Sequence, residues 1–482
     1  MAPSLAEAWL SRFGDPDALS RRMEWDGLSA EDFAELPARL LRDLGRSARR
    51  AEAALRRRDP IAADAVLTAL DRDAMQDAPL HRLLGLPPDI AALRSLAREA
   101  SGAVGPVQMA LGRVSLAHGI AALEEARQRL RRDAPALRQR FGFQADALRV
   151  MEAVGDPHAN GRRVLRFQDA DGCAVYLKPR PLDGERVLDR LALRLGAEGK
   201  GIRLPKMLAR ARYGWVAEAR PAEATALRSA GALIAVADLA AAVDLHSENL
   251  MPAASGVSVL DGEMVLHPDL PLSLVPADAH AAALRLRSGV LRTGLLPEPD
   301  QPHDLCGLAA WSAAARMTRE DAAEIGEGYA QALARLCAKG GARAALERAL
   351  PARGAVRLLL RRSAGYGRLL ERMRDPRATP HAQTLLLHLD ALRIGMARGH
   401  RRKPILWGVA AAETAALLRG DIPRLWMTWD SGGVWEGDGH DAPCALLPST
   451  PRSAALLRAA QFEADRAARQ ACVIRQAWRR GG

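Results

Sequence analysis

The sequence predicts an α+β fold that is predominantly helical, because two long regions with helical periodicity flank a shorter segment with strand character. From Ser4 to about Arg140, Ala, Leu and Arg recur at three- and four-residue spacing, and similar spacing dominates again from Pro268 to Trp478. Breaks in the first region fall at Gly14-Asp15-Pro16, Pro87-Pro88 and Gly105-Pro106. We therefore predict a helical N-terminal region (1–140), a mixed α/β core (141–300) and a helical C-terminal lobe (301–482).

The core begins with a predicted β-hairpin. RRVLRFQDADGCAVYLKPRPL has two strand-like runs on either side of an acidic glycine turn at residues 169–172. ERVLDRLALRLG then has the spacing of an amphipathic helix that ends at Gly196, and ARYGWVAEA is a short strand candidate. ALRSAGALIAVADLAAAV is apolar on most of its surface, which predicts a buried helix that leads directly to Asp244.

Size and charge limit the function classes. The chain has 482 residues, enough for two or three domains, and a net charge of +12. Such a charge suits nucleic acid, membrane surfaces or acidic peptides as partners. However, only five of the 69 basic residues are lysine, so an arginine-rich composition and solvated helix faces explain much of the excess. Since no aromatic platforms for single-stranded nucleic acid are evident, we expect no nucleic-acid partner.

Targeting signals and metal-binding cysteines are not evident in the sequence. The N-terminal segment carries early acidic residues and lacks a signal-like apolar run. ALIAVADLAAAV, the longest apolar run, is interrupted by Asp238 and is shorter than the roughly 20 residues that span a bilayer. The five cysteines form no CxxC pair and no zinc-like spacing with histidine. We therefore expect a cytoplasmic protein with no transmembrane segment and no zinc.

One stretch concentrates metal-competent side chains, AAVDLHSENLMPAASGVSVLDGEMVLHP. Asn249 and Asp261 offer the amide and carboxylate oxygens that Mg²⁺ binds on a nucleotide's phosphates. Asp244 would accept or orient the attacking hydroxyl, and His246 would steady the loop or the developing charge. Lys178, on the second hairpin strand, would reach the phosphates as a compact cation. Each of these residues alone could be structural, and a strand-end lysine is often solvated; their order along the chain favours phosphoryl transfer.

Two further constellations are candidates for chemistry. Asp156 and His158 lie in the predicted loop VGDPHANGRRV and could serve as acid and base, although a turn-capping Asp beside an exposed His is the simpler interpretation. In VRLLLRRSAGYGRLL, Arg357 and Ser363 lie with Arg361 and Arg362 around an apolar run, which could bind a phosphate. The general abundance of arginine is the alternative explanation.

The pieces together resemble the dehydratase domain of class II lanthipeptide synthetases, the LanM-type enzymes. The resemblance covers the chain from about Gly155 to the C-terminus and lies in eight segments that occur in the family's order. These segments are GDPHANGRRVLRF, VYLKPRPL, RARYGWV, DLHSENLM, LDGEMVLHP, LRTGLLP, VRLLLRRSAGY and AAETAALLRGDIPRLW.

The resemblance implies a lipid-kinase-like bilobal fold that uses ATP and Mg²⁺ to phosphorylate Ser and Thr of a precursor peptide. Elimination of the phosphate then gives dehydroalanine and dehydrobutyrine. By resemblance, Lys178 is the ATP-site lysine, Asp244 the catalytic aspartate and His246 its loop partner. Asn249 and Asp261 are the implied metal ligands with Glu263 beside them in the cofactor site. Asp156 and His158 match a pair needed for activity, and Arg357 and Ser363 match the elimination pair.

The sequence also departs from the family. The zinc-binding cyclase domain that usually follows is not found, so we expect no ring closure by this chain, which would work alone or beside a separate cyclase or tailoring enzyme. Gly262 and Ser363 replace a usual leucine and threonine. Family leader peptides are acidic, which suits a basic protein, and the helical N-terminal region is the candidate leader-binding cap. A peptide kinase without elimination and a catalytically degenerate leader-binding subunit remain alternatives.

Overall fold

The computed structural model describes most of the chain from residue 106 onwards, and the first 105 residues of the predicted helical region lie outside the described residues. The described residues are 106–196, 201–219, 227–253, 256–269, 289–297, 306–311, 317–338, 340–358, 363–375, 377–379, 389, 404–431, 433–436, 440–445, 449–462 and 464–478.

Nine α-helices lie within these ranges. They are α1 (Pro106–Phe141), α2 (Asp183–Arg194), α3 (Leu227–Leu239), α4 (Arg319–Cys337), α5 (Gly341–Ala349), α6 (Ser363–Arg374), α7 (Pro404–Leu418), α8 (Pro451–Ala460) and α9 (Ala464–Ala477). None of these described helices combines the length and the apolar character that crossing a bilayer requires.

Twelve short strands form three sheets in the described part of the chain. They are β1 (Leu148–His158), β2 (Arg162–Asp169), β3 (Ala174–Lys178), β4 (Ile202–Arg203), β5 (Met207–Ala209), β6 (Gly214–Ala217), β7 (Leu250–Ala253), β8 (Gly256–Val259), β9 (Ala355–Leu358), β10 (Leu425–Thr428), β11 (Gly433–Glu436) and β12 (His440–Ala445). A five-stranded antiparallel sheet has the order β1-β2-β3-β6-β5, and a four-stranded antiparallel sheet has the order β12-β11-β10-β9. In the third sheet, β8 pairs with β4 in parallel and with β7 in antiparallel orientation.

Helix α1 covers one face of the five-stranded sheet. Apolar residues of the helix, including Leu130 and Leu137, pack with Phe167 and Trp215 of the sheet in one buried cluster. Asp133 fixes the helix in place, because its buried carboxylate accepts hydrogen bonds from the hydroxyl of Tyr213 and the indole N–H of Trp215, each at 2.8 Å. Because a buried carboxylate needs hydrogen-bond partners, these contacts favour one position of the helix along the sheet.

The second and largest core surrounds α3, which is buried along nearly its whole length as its all-round apolar sequence predicts. Helix α4 approaches α3 very closely at glycine. A Cβ at Gly231 would lie 2.1 Å from the carbonyl oxygen of Ile325, and a Cβ at Gly328 would lie 2.4 Å from that of Arg228. Only glycine allows this approach. Near the other end of α3, from which the chain enters the loop at Asp244, the hydroxyl of Tyr329 in α4 donates to the Asp238 carboxylate at 2.9 Å.

The structure confirms the predicted α+β fold class. The predicted hairpin is β2 and β3, the amphipathic helix is α2, and the buried helix is α3. Two predictions were wrong. The segment VGDPH, predicted as a loop, is the end of strand β1, which pairs with β2 beyond an irregularity in register. The C-terminal lobe, predicted as helical, also contains the sheet β9 to β12, whose four- to six-residue strands are too short for a clear period.

Candidate active site

Lys178 lies at the end of β3 and is buried beside the carboxylate of Asp261. Its Nζ donates a hydrogen bond of 2.5 Å to the carbonyl oxygen of Leu260 and lies 3.7 Å from Asp261 Oδ2. Strand β3 therefore brings the hairpin ammonium to the loop that follows β8. Two residues 83 positions apart in the sequence, at 178 and 261, meet at one point of the fold.

This cluster also contains Glu185 and Arg180, two charged residues that the sequence analysis missed. Glu185, in the first turn of α2, has its Oε1 3.3 Å from Lys178 Nζ and 2.5 Å from Arg180 Nη2. Burial opposes ionisation of this carboxyl, yet the charges of Arg180 and Lys178 lower the pKa of Glu185 to about 2. A lysine on a sheet strand paired with a glutamate on the following helix is the arrangement that protein kinases use to bind nucleotide phosphates.

The loop after α3 holds Asp244 in a left-handed conformation, with φ of 66°. Its backbone is fixed on two sides: Val243 N–H donates to Met264 O at 3.1 Å, and Leu245 N–H donates to Thr293 O at 2.9 Å. The side chain amide of Asn249 donates to the carbonyl oxygen of Asp244 at 2.7 Å. A non-glycine residue at positive φ is strained and is retained where the surroundings determine it, which is frequent at active sites.

Asp244 is a carboxyl group with a strongly altered acidity. The pKa of Asp244 is raised to about 6, chiefly by burial; the charges of His246 and Arg357 oppose this shift, and those of Glu263 and Asp261 contribute to it. The His246 ring lies close by, with Nε2 3.8 Å from Asp244 Oδ1. A half-buried carboxyl whose pKa approaches neutrality in a crowded charged loop is a candidate general base.

Asn249 and Asp261 lie side by side, as a shared metal site requires. The backbone carbonyl oxygen of Asn249 accepts hydrogen bonds from the backbone N–H groups of Leu260 at 2.8 Å and Asp261 at 3.4 Å, which brings the two residues together. Within the described residues no group of three or more His, Cys, Asp or Glu could hold a metal ion. Magnesium on a nucleotide needs only one or two protein oxygens, because phosphates and water supply the rest. The donor set of one amide and one carboxylate therefore fits Mg²⁺.

Glu263 has the carboxylate on which three arginines converge. Arg357 Nη1 donates to its Oε1 at 2.7 Å, Arg424 Nη2 hydrogen-bonds to Oε2, and Arg180 Nε lies 2.8 Å from Oε2 without the alignment of a hydrogen bond. Burial opposes ionisation, but the charges of Arg424, Arg357 and Arg180 hold the pKa of Glu263 well below its usual range. The cofactor-binding role predicted for Glu263 stays a prediction; in this structure its oxygens are engaged by protein cations.

Arg357 and Ser363, which match the elimination pair by resemblance, contact each other. Arg357 Nη2 donates to Ser363 Oγ at 3.4 Å, and Ser363 is the first residue of α6. Arg361 and Arg362 lie outside the described residues. Arg424, which the sequence analysis missed, joins this group: it precedes β10, the strand that pairs with the strand of Arg357, and lies over the ring of Trp426 at 5.1 Å.

His158 and Asp156 differ in their surroundings. His158 Nδ1 lies 2.7 Å from the carbonyl oxygen of Ile422. Burial, followed by the charges of Arg424 and Arg357, holds the pKa of His158 well below its usual range, so the ring is neutral at pH 7. Asp156 is exposed on the same strand end. The structure therefore brings His158 into the neighbourhood of the arginines and leaves Asp156 at the surface.

The candidate residues form two adjacent groups. One contains Lys178, Asp244, His246, Asn249 and Asp261. The other contains His158, Arg357 and Ser363 and is extended by Arg424. Glu263 and Arg180 connect them, because Arg180 contacts both the Asp261 and the Glu263 carboxylates.

Replacing Glu263 by Gln is expected to lower the free energy of unfolding by about 3–5 kcal/mol, because buried guanidinium groups would lose their counter-charge. Urea unfolding of the full chain measures this change. Glu152→Gln is the matched control, since Glu152 is in a more exposed ion pair with Arg166 at 3.2 Å, and its loss is expected to cost about 0–1 kcal/mol. Equal effects of the two substitutions would contradict the assignment of Glu263 as the central counter-charge.

A family model described as "Domain of unknown function (DUF4135)" matches residues 106–322 and 318–427, together more than half of the chain. The chain belongs to the DUF4135 family. This family is associated with lanthipeptide synthetases. The DUF4135 match contains every candidate residue from Asp156 to Arg424. Among curated proteins, none matches the sequence.

Proposed function

We propose that this DUF4135 protein dehydrates Ser and Thr of a ribosomally made precursor peptide, in a lipid-kinase-like bilobal active site, by phosphorylation with ATP and Mg²⁺ followed by β-elimination of phosphate. The observation that carries the proposal is the joining of the two groups: Arg180 contacts both Asp261, beside Lys178, and Glu263, beside Arg357. A nucleotide-binding group next to a phosphate-binding group suits two successive reactions of one phosphoryl group.

In the phosphorylation step, Lys178 would contact the phosphates, with Glu185 holding its ammonium in place. Asn249 and Asp261 would hold Mg²⁺, which when bound supplies charge neutralisation on the phosphates. The oxygen of the peptide hydroxyl would bond to the γ-phosphorus while the bond between this phosphorus and ADP breaks. Asp244 would accept the proton that the hydroxyl loses. His246 would keep the loop of Asp244 and Asn249 ordered, since its Nε2 lies 3.2 Å from Asn249 Nδ2.

In the elimination step, His158 would remove the α-proton of the phosphorylated residue. A carbonyl oxygen only accepts hydrogen bonds, so the contact with Ile422 assigns the ring proton to Nδ1 and leaves a lone pair on Nε2. The Cα–H electron pair becomes the new double bond, the Cβ–O bond breaks, and its electrons leave with phosphate. Arg357 and Ser363 would stabilise the departing phosphate by charge and hydrogen bonding.

The proposed peptide partner is recognised in part by charge. The chain has a net charge of +12, so an acidic leader segment would be attracted, most strongly at low ionic strength. We propose that the protein works alone or beside a separate cyclase or tailoring enzyme.

Mass spectrometry tests the proposal. The full chain is incubated with ATP, Mg²⁺ and a candidate precursor, a short Ser/Thr/Cys-rich peptide encoded beside its gene. Loss of one water's mass per modified Ser or Thr supports dehydration. Gain of a phosphoryl group's mass without its later loss would indicate a peptide kinase that lacks elimination. Binding of the precursor without any mass change would indicate a leader-binding subunit.

The kcat/KM for phosphorylation is expected to rise as pH rises through about 6. Asp244 acts as a base only when it is ionised, and its pKa is about 6. The pH profile of kcat/KM for phosphorylation of the precursor measures this, since kcat/KM reports groups of the free enzyme. Glu248→Gln is the control: Glu248 is an exposed carboxylate of the same loop, and its removal is expected to leave the inflection in place. A profile without an acid-side inflection would exclude Asp244 as the base.

A further inference from the structure

The tip of the β1–β2 hairpin is fastened to the segment that follows α7. The buried carboxylate of Asp421 accepts the backbone N–H of Asn160 at 2.7 Å and that of Gly161 at 2.9 Å. Beside this contact, Ile422 N–H donates to the carbonyl oxygen of Pro157 at 2.8 Å. These contacts join residues about 260 positions apart in the sequence and bring the hairpin tip against the start of β10.

The hairpin tip has a conformation that needs such support. Ala159 and Asn160 have φ values of 46° and 69°, in the left-handed region that residues other than glycine rarely adopt. Residues in this region persist where surrounding contacts determine the backbone. The N–H of Asn160 and that of the neighbouring Gly161 donate to the Asp421 carboxylate, so this carboxylate stabilises the unusual turn directly.

His158 lies within this fastened segment. Its Nδ1 donates to the carbonyl oxygen of Ile422, the residue after Asp421, and this contact fixes both the ring orientation and the tautomer. The charges of Arg357 and Arg424 act on the same ring. The hairpin tip and the arginine group are therefore held together by the segment 421–424.

We propose that Asp421 is a positioning residue for the elimination step: by anchoring the hairpin tip, its carboxylate holds His158 in the orientation and tautomer in which Nε2 accepts the α-proton. The inference rests on the proposed function. Asp421 itself contacts backbone N–H groups of the hairpin and does not enter the bond changes, which are the transfer of a proton to Nε2 and the departure of phosphate with the Cβ–O electron pair.

Asp421→Ala is expected to retain phosphorylation of the candidate precursor and to slow elimination about 100-fold, because a displacement of about 1 Å at a reacting group has this cost. Phosphopeptide would then accumulate in the mass spectrum. Asp169→Ala is the matched control: Asp169 is also buried and also accepts backbone N–H groups, from Gln144 at 2.8 Å and Cys173 at 2.9 Å, at the opposite end of β2. Accumulation in both variants, or in neither, would overturn the proposal.

Histidine ¹⁵N NMR of the full chain gives a readout that does not depend on peptide activity. The His158 signal is identified by its loss in His158→Gln. Wild-type protein is expected to show the neutral tautomer with the proton on Nδ1, and Asp421→Ala is expected to shift this signal toward the other tautomer. A proton on Nε2 in the wild type, or an unchanged His158 signal in a folded Asp421→Ala, would overturn the positioning role. Wild-type protein that modifies no peptide would instead contradict the proposed function.

Discussion

Asp244→Asn is expected to abolish both phosphorylation and dehydration of the precursor, lowering the rate by about 10²–10⁴-fold, the usual contribution of a general base. The substitution preserves size and removes the group that accepts the hydroxyl proton. The backbone bonds that hold residues 243–245 do not involve the side chain, so the loop is expected to stay in place. Mass spectrometry of the peptide and release of ADP measure the loss.

Glu248→Gln is the control for Asp244→Asn, because Glu248 lies in the same loop with a largely exposed carboxylate. This variant is expected to keep near wild-type activity. An Asp244→Asn protein that still consumed ATP to modify peptide would refute the catalytic assignment of Asp244.

Arg357→Met is expected to let phosphopeptide accumulate, because it removes the cation that stabilises the departing phosphate. Loss of one such donor lowers a rate by about 10²–10³-fold. The side chain is nearly buried and bonds to both Glu263 and Ser363, so methionine retains most of its volume and none of its hydrogen bonds. The ratio of phosphorylated to dehydrated peptide over time is the measurement.

Arg353→Met is the matched control for Arg357→Met, since Arg353 is exposed in the turn before the same strand. It removes an arginine from the same region without touching Glu263. Unimpaired dehydration in Arg357→Met, or equal accumulation in the control, would remove Arg357 from the elimination site.

The elements with strong local signals were predictable from the sequence. The hairpin of β2 and β3 has an acidic glycine turn between β-prone runs, and α3 is apolar all round, so both could be recognised without tertiary information. Lys178 stood out because lysine is rare in this chain. Strand β1 was not predicted. Its end contains Gly155, Asp156 and Pro157, which have the composition of a turn and lie at the irregularity in the pairing with β2.

Charged residues that act through distant partners were not predictable. Glu185 has the sequence context of an ordinary acidic residue in the first turn of a helix, and only the fold places it beside Lys178. Arg180 and Arg424 were hidden among many arginines. The partners of Glu263 at positions 357 and 424 are 94 and 161 residues away, so nothing local marks this carboxylate as their shared counter-charge.

The most direct test of the account is to label the full chain with an ATP analogue that carries an acyl phosphate, which acylates a lysine lying against the nucleotide's phosphates. The chain has only five lysines, so peptide mapping identifies the acylated residue clearly. The account predicts acylation of Lys178 that excess ATP with Mg²⁺ suppresses. Labelling of other lysines with Lys178 unmodified, or labelling of Lys178 that ATP does not suppress, would contradict a nucleotide site between this ammonium and the loops of Asp244 and Asp261.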